Sequence, residues 1–357
     1  MAEEINLVKV FYQDTLIGKL AQGPDRISAF EYDAQWLNTG FSISPFYLPL
    51  KTGVFKARPT PFNGLFGVFN DSLPDGWGNL LLDRWLKQQG KDPFSLSVLD
   101  RLTYAGGNSM GALTYQPDRS PGCDPGTHPL DYYASQVEKI LRDEDSDALD
   151  ELLKAAASSA GARPKVVVNI DGLEWLVKFR AMVDPPNIGQ IEYEHSLLAR
   201  KCGIEMPETR LFGNTYFGAR LFDREDGTRI HVHSAAGLLY ASYRLPSLDY
   251  IGLMEATFAL TRNIEDVEKL FRLMVFNVLI GNKDDHARNF SFLYRDGNWM
   301  LSPAYDILPS NGFGGQHTTT VNGQGNPTTN DCLEVARKTA LPLQKARDII
   351  EEVESHL

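Results

Sequence analysis

Apolar and polar positions alternate in a way that assigns most of the chain to elements. Residues 7 to 21, LVKVFYQDTLIGKLA, are two short apolar runs around Gln13-Asp14 and predict a β-hairpin. Pro74 opens a helix, PDGWGNLLLDRWLKQQG, that Gly90 stops. A second helix is expected from about Leu130 to Ala157, acidic on its exposed positions. VVVNIDGLEWLVKF then reads as two strands around Asp171-Gly172, a dipeptide suited to a tight hairpin turn. A helix from Glu192 to Cys202, closed by Gly203, and a strand from Phe217 to Phe222 follow. From about Tyr250 the pattern turns helical. Its clearest stretch is EDVEKLFRLMVFNVLIG, where Val267, Leu270, Leu273, Met274, Val278 and Leu279 recur near the helical period. FSFLYRDGNWML is another hairpin, turning at Asp296-Gly297, and a last helix begins near Pro342. A β-rich half followed by a helical half defines an α+β layout.

Composition adds limits. With 43% hydrophobic and 23% charged residues, the 357-residue chain can bury a sizeable core. A net charge of −11 argues against coating nucleic acid unaided, because such binding needs basic residues to displace phosphate counterions. Cys123, Cys202 and Cys332 offer neither a disulfide framework nor zinc spacing, which fits a reducing cytoplasm. The start, Met1-Ala-Glu-Glu-Ile5, lacks the apolar core of a signal peptide. No apolar stretch approaches the ~18 residues of a membrane span. Pro and Gly crowd residues 118 to 127, the clearest linker.

The chemistry concentrates after the long apolar helix. In Gly281-Asn-Lys-Asp-Asp-His-Ala-Arg-Asn289, Asp284 and Asn289 have the Asp-x-x-x-x-Asn spacing of a kinase catalytic loop. The Asp would accept or orient a hydroxyl proton, and the Asn would bind magnesium on the ATP phosphates. Past the following hairpin, Leu301-Ser-Pro-Ala-Tyr-Asp306 places Asp306 where a kinase holds the bridging magnesium; otherwise Asp306 is a turn or cap residue. Lys178 ends an apolar strand, as does the lysine that pairs the ATP α/β-phosphates, or else snorkels from a sheet edge. Glu192, at the start of the next helix, would orient Lys178 or simply compensate the helix dipole. The turn Ser158–Lys165 has one Gly among small neighbours, so its backbone can approach phosphates; alone it reads as a helix end and a turn. His231-x-His233 reads as ordinary sheet surface rather than as metal ligands.

Together these motifs resemble the HipA family of bacterial kinases. The resemblance extends to Ser44-Pro-Phe-Tyr-Leu-Pro-Leu50, Asp71-Ser-Leu-Pro-Asp-Gly76, Gly106-Gly-Asn-Ser-Met-Gly-Ala-Leu113 and Arg220-Leu-Phe-Asp-Arg224. It implies a two-lobed protein-kinase-like fold with a β-rich N-terminal subdomain over 1–118, a kinase N-lobe over 119–224 and a helical C-lobe over 225–357. It implies ATP and magnesium as cofactors and serine/threonine phosphorylation of protein. By the same resemblance Ala160, Gly161, Ala162, Arg163 and Lys165 contact the ATP phosphates beside Lys178. Arg220, Leu221 and Phe222 form the adenine hinge, and His286 and Tyr305 lie near the nucleotide. Asp284 is the catalytic base, and Asn289 and Asp306 are the metal ligands. Ser158, or Ser159, is an autophosphorylation site. A helix-turn-helix antitoxin is the implied partner, with nucleic acid reached only through it, and an aminoacyl-tRNA synthetase is a candidate substrate. Two departures stand out. The tail after Asp306 is short, and Arg220-Leu221 replaces the acidic-basic hinge pair of some members. Two alternatives stay open at this point. The loop also looks like the D-x-H-x-x-N of lipid kinases, and a phosphorylation-silenced regulator acting through its antitoxin would carry the same residues.

Overall fold

The structure is a computed structural model that describes residues 5–105, 109–122, 128–156, 161–225 and 227–357. The chain forms two compact units. Unit 1 comprises Met1–Gln190 and Arg210–His231; unit 2 comprises Ile191–Thr209 and Val232–Leu357.

Unit 1 begins with strands β1 (Leu7–Tyr12), β2 (Thr15–Gln22) and β3 (Ser28–Tyr32), followed by helix α1 (Ala34–Thr39) and strand β4 (Val54–Lys56). Helices α2 (Gly67–Asn70), α3 (Gly76–Gln88) and α4 (Val98–Thr103) then lead to β5 (Leu113–Gln116). The five strands make one antiparallel sheet in the order β4-β3-β2-β1-β5. Val8 and Val10 of β1 and Leu20 of β2 point inward, as period-two alternation requires.

The long helix expected from Leu130 is in fact two, α5 (Leu130–Leu141) and α6 (Leu149–Ala156). Between them lies Arg142-Asp-Glu-Asp-Ser-Asp-Ala148, rich in residues that favour turns over helix interiors. Asp143 adopts φ 63°. Arg84 of α3 pins the break by pairing with Asp143 and donating to the Glu144 carbonyl at 3.0 Å. Ser146 Oγ accepts from the Ala148 N–H at 3.2 Å at the entry to α6.

Strands β6 (Lys165–Ile170) and β7 (Leu173–Lys178) form the expected hairpin, with φ 55° at Asp171 and 80° at Gly172. Helix α7 (Ile188–Lys201) starts a full turn before Glu192, earlier than the sequence suggested. Its first turn ends unit 1 and the rest belongs to unit 2. Strands β8 (Thr209–Phe212) and β9 (Tyr216–Arg220) complete a sheet in the order β6-β7-β9-β8. Thus β9 stops at Arg220, two residues before the expected Phe222. A ribbon of β10 (Arg224–Glu225) and β11 (Thr228–Arg229) follows. A core of Trp77, Leu81, Tyr133, Leu152, Val166 and Trp175 binds α3, α5 and α6 to this sheet.

Unit 2 is mainly helical. The chain enters it within β12 (His231–Ser234), whose first residue still belongs to unit 1, and continues with α8 (Ala235–Leu239), β13 (Leu248–Asp249), α9 (Tyr250–Thr261) and α10 (Ile264–Ile280). After α10 come β14 (Ser291–Arg295), β15 (Asn298–Leu301), β16 (Thr319–Thr320), α11 (Thr329–Lys338) and α12 (Leu343–His356). A capping box between Thr328 and Asp331 starts α11. Phe271, Met274, Phe276, Tyr250, Phe292 and Ile349 are among the side chains that fill the core of this unit.

His231 and His233 are not sheet surface, since both are wholly buried. His231 Nε2 lies 2.9 Å from the Ile43 carbonyl and its ring packs on Phe41. Burial overrode the polar reading of that strand.

Candidate active site

The catalytic-loop motif is built at the end of α10. Gly281 ends the helix in the left-handed conformation, φ 70°, its N–H bonding back to Asn277 and Val278. Asn282 then turns inward. Its Nδ2 donates to Asn277 Oδ1 at 3.0 Å, and Asn277 Nδ2 donates to the Tyr250 hydroxyl at 3.1 Å. Asp284 emerges exposed, its N–H bonded to Ser310 Oγ at 2.8 Å. Its carbonyl accepts from Asn289 Nδ2 at 2.8 Å. That bond turns the Asn289 amide so that its oxygen is the end left for a ligand. The Asp-x-x-x-x-Asn spacing therefore has a local cause: a single 3₁₀ turn, Ala287–Asn289, brings the amide back to the residue five positions earlier.

Tyr305 bridges the loop to the segment carrying Asp306. Its hydroxyl donates to the Arg288 carbonyl and contacts Ser291 Oγ, both at 2.6 Å. Tyr305 thus holds loop backbone, a role its position beside Asp306 did not reveal. Arg288 is buried with its guanidinium 4.0 Å from the Tyr243 ring centroid. His286 Nδ1 is buried and makes no hydrogen bond among the described residues. Asp306 is half-buried and left-handed, φ 57°, a conformation Asp tolerates better than most residues.

Among the described residues no group of three or more His, Cys, Asp or Glu could hold a metal ion. The two residues the sequence assigns to a metal, Asn289 and Asp306, carry oxygen donors of the kind magnesium takes, one or two protein oxygens with water and phosphate completing its shell.

Unit 1, taken by itself, pairs two lysines across its hairpin. The tight turn at Asp171-Gly172 sets a register in which Lys165 of β6 stands directly opposite Lys178 of β7. Directly opposed side chains share a face, and like charges there are unfavourable in themselves. Lys165 is buried with its Nζ beside Gly161, whose φ of 110° favours glycine. Lys178 Nζ lies 5.6 Å from the Phe217 ring centroid. The Arg163 guanidinium grips the buried Asp184 through three contacts of 3.0–3.2 Å, tying the turn to the loop after β7.

The start of α3 abuts the same turn. A Cβ on Gly76 would lie 2.7 Å from Ala162 Cα, and Trp77 Nε1 donates to the Lys165 carbonyl at 3.1 Å. The Pro74-Asp-Gly-Trp77 sequence thus supports the turn, a contribution sequence reading missed although two glycines flanking a Trp hinted at close packing.

In the segment Arg220–Phe222, the Leu221 N–H donates to the Glu174 carbonyl at 3.1 Å and so belongs to the sheet. Glu192 is 4% exposed and lies one turn inside α7, past the first turn where a carboxylate would compensate the helix dipole. Ser158, Ser159 and Ala160 fall outside the described residues.

Comparison with solved structures gives the class. HipA of Shewanella oneidensis MR-1, solved in a toxin–antitoxin complex with HipB and its operator DNA, matches 98% of this chain and 88% of its own at TM-score 0.72 and 19% identity. The fold is therefore that of the kinase-like HipA proteins, with a sheet-rich N-terminal part and a helical C-terminal part. The HipA N-terminal domain family matches residues 8–116 and the HipA-like C-terminal domain family matches residues 157–357, and the chain belongs to the HipA family. A Sinorhizobium fredii (strain NBRC 101917 / NGR234) protein named "Putative kinase Y4mE" is 29% identical over 341 residues, 85% of this chain and 77% of that one. A second from the same strain, "Putative kinase Y4dM", is 26% identical over 155 residues, 38% of this chain and 37% of that one.

Proposed function

We propose that this chain is an ATP- and magnesium-dependent serine/threonine protein kinase, the toxin of a toxin–antitoxin pair. The observation that carries the reading is the exposed Asp284 with Asn289 fastened to its own carbonyl, on a loop braced by Ser310 and Tyr305. In the proposed reaction the acceptor hydroxyl attacks the γ-phosphorus of ATP. Its proton passes to the Asp284 carboxylate as the bond to the bridging oxygen of ADP breaks. Asn289 and Asp306 would hold magnesium, which when bound neutralises charge on the phosphates. Lys165, Lys178 and the backbone at Gly161–Ala162 offer donors and positive charge to the phosphates. The buried Glu192 is proposed to orient Lys178.

Incubation of the purified chain with labelled ATP, and phosphoproteomics after induced expression with Asp284→Asn as control, test the reading. Phosphoserine or phosphothreonine that depends on Asp284 supports it. Transfer to lipid alone, or none to any acceptor, overturns it. The complex of the Shewanella protein motivates two narrower proposals: a HipB-like helix-turn-helix partner, and DNA contact through that partner only. An aminoacyl-tRNA synthetase is the proposed substrate and the cytoplasm the proposed location. Among the described residues no helix is long and apolar enough to cross a membrane.

Lys178→Met should weaken ATP binding while leaving adenosine binding unchanged, because the lysine acts as a point charge on phosphate. Calorimetry with both ligands checks this, and equal losses would show a damaged sheet. Ser158, or Ser159, is the proposed self-modification site. Its phosphate would add roughly −1.5 to −2 charge beside those of the nucleotide and repel them. Peptide mapping after incubation with ATP should find it, and finding neither serine modified would discard the proposal.

A further inference from the structure

Asp285 stands next to Asp284 but faces the opposite way. It is 1% exposed, and its carboxylate receives four donors. The Tyr250 hydroxyl of α9 reaches Oδ2 at 3.0 Å, and His317 Nδ1 reaches the same oxygen at 2.9 Å. The N–H groups of Thr318 and Thr319 reach Oδ1 at 2.9 and 3.2 Å. A carboxylate only accepts, so His317 carries a proton on Nδ1. The Asp285 carbonyl also accepts from Thr319 Oγ1 at 2.5 Å. Through Tyr250 the carboxylate joins Asn277 and Asn282, so the buried polar chain runs from the last turn of α10 to the segment beyond Asp306.

The neighbouring bonds repeat the theme. The Thr318 N–H and hydroxyl both donate to the Lys283 carbonyl, at 3.1 and 3.0 Å. Lys283 Nζ donates to the Gly315 carbonyl at 2.8 Å. The catalytic loop and the segment 310–319 are thus stitched on both sides of Asp284, with Asp285 as the knot. A buried carboxylate needs such donors to be tolerated at all, and a network this fully satisfied fixes geometry.

We propose that Asp285 is a positioning residue for phosphate transfer. Clamped by Tyr250, His317, Thr318 and Thr319, it sets the direction in which Asp284 presents its carboxylate. This rests on the kinase reading above. It assigns to the buried Asp and to the segment after Asp306 a part in holding the base, whereas the motif spacing concerns only Asp284 and Asn289.

Tyr250→Phe is the gentlest probe, since it keeps the ring in the core and removes one donor to Asp285 together with the acceptor of Asn277 Nδ2. Its kcat should fall about 3- to 10-fold with the KM for ATP unchanged, and Asp285→Ala should lose about 100-fold, the scale of a 1 Å misplacement. The decisive measurement is single-turnover transfer in an Asp284→Asn background. If Asp285 acts through Asp284, Tyr250→Phe leaves that residual rate unchanged. The same fractional loss in both backgrounds, or a raised KM with kcat kept, overturns the proposal. Amide hydrogen exchange separates this from the kinase reading. Faster exchange at Thr318, Thr319 and Asp284 in Tyr250→Phe supports the clamp even if the wild-type chain transfers no phosphate. Unchanged exchange at all three overturns it, whatever the enzyme does.

Discussion

Asp284→Asn should fold as the wild type does and lose about 100- to 10,000-fold in kcat, the contribution of a positioned general base. The substitution is nearly isosteric, and the side chain it alters is exposed. Its backbone N–H is held by Ser310 and its carbonyl by Asn289, and both bonds survive the substitution. A loss of rate without a loss of thermal stability isolates the chemical role. Circular dichroism melts together with single-turnover transfer give both quantities. A variant that transfers phosphate at near the wild-type rate would remove Asp284 from the mechanism.

Asp306→Gly should abolish the part of ATP affinity that depends on magnesium and leave metal-free nucleotide binding nearly intact. Glycine is a cleaner replacement than alanine, because residue 306 sits at φ 57°, where alanine would be strained and glycine is not. The loss should be at least the about 10- to 100-fold that removal of an outer-sphere partner causes at a metal site. Titrating ATP with and without magnesium tests this. Equal losses in the two titrations would make Asp306 a turn residue only.

The hairpins were legible because their turns are chemical statements. Asp171-Gly172 and Asp296-Gly297 all adopt positive φ, and few other dipeptides would allow it. The opposition of Lys165 and Lys178 follows from counting outward from the first of these turns, so that signal was present in the sequence. Asp284, Asn289 and Asp306 were legible as types at kinase spacings. Asp285 was not, because its meaning depends on a tyrosine 35 residues earlier and on residues 32 to 34 positions later. The break between α5 and α6 did leave a trace: at about 100° per residue the apolar stripe of Leu149, Leu152, Leu153 and Ala156 falls out of phase with that of Tyr133, Val137 and Ile140. The two histidines of β12 misled because polarity, in the absence of a partner list, reads as exposure.

The chain crosses between its two units three times, after Gln190, Thr209 and His231. During synthesis the β6-β7 hairpin emerges before the ribosome has made β9, its partner in the sheet. By the time β9 appears, most of α7 is already waiting for a unit whose long helices are still unmade. Ala199 and Cys202 of that segment belong to the core built around α9 and α10, and they stay without it until residue 280 or so has left the tunnel. A nascent chain with apolar surface waiting in this way is a natural client for chaperones. For the same reason a fragment beginning at Val232 lacks part of its own core and should be insoluble.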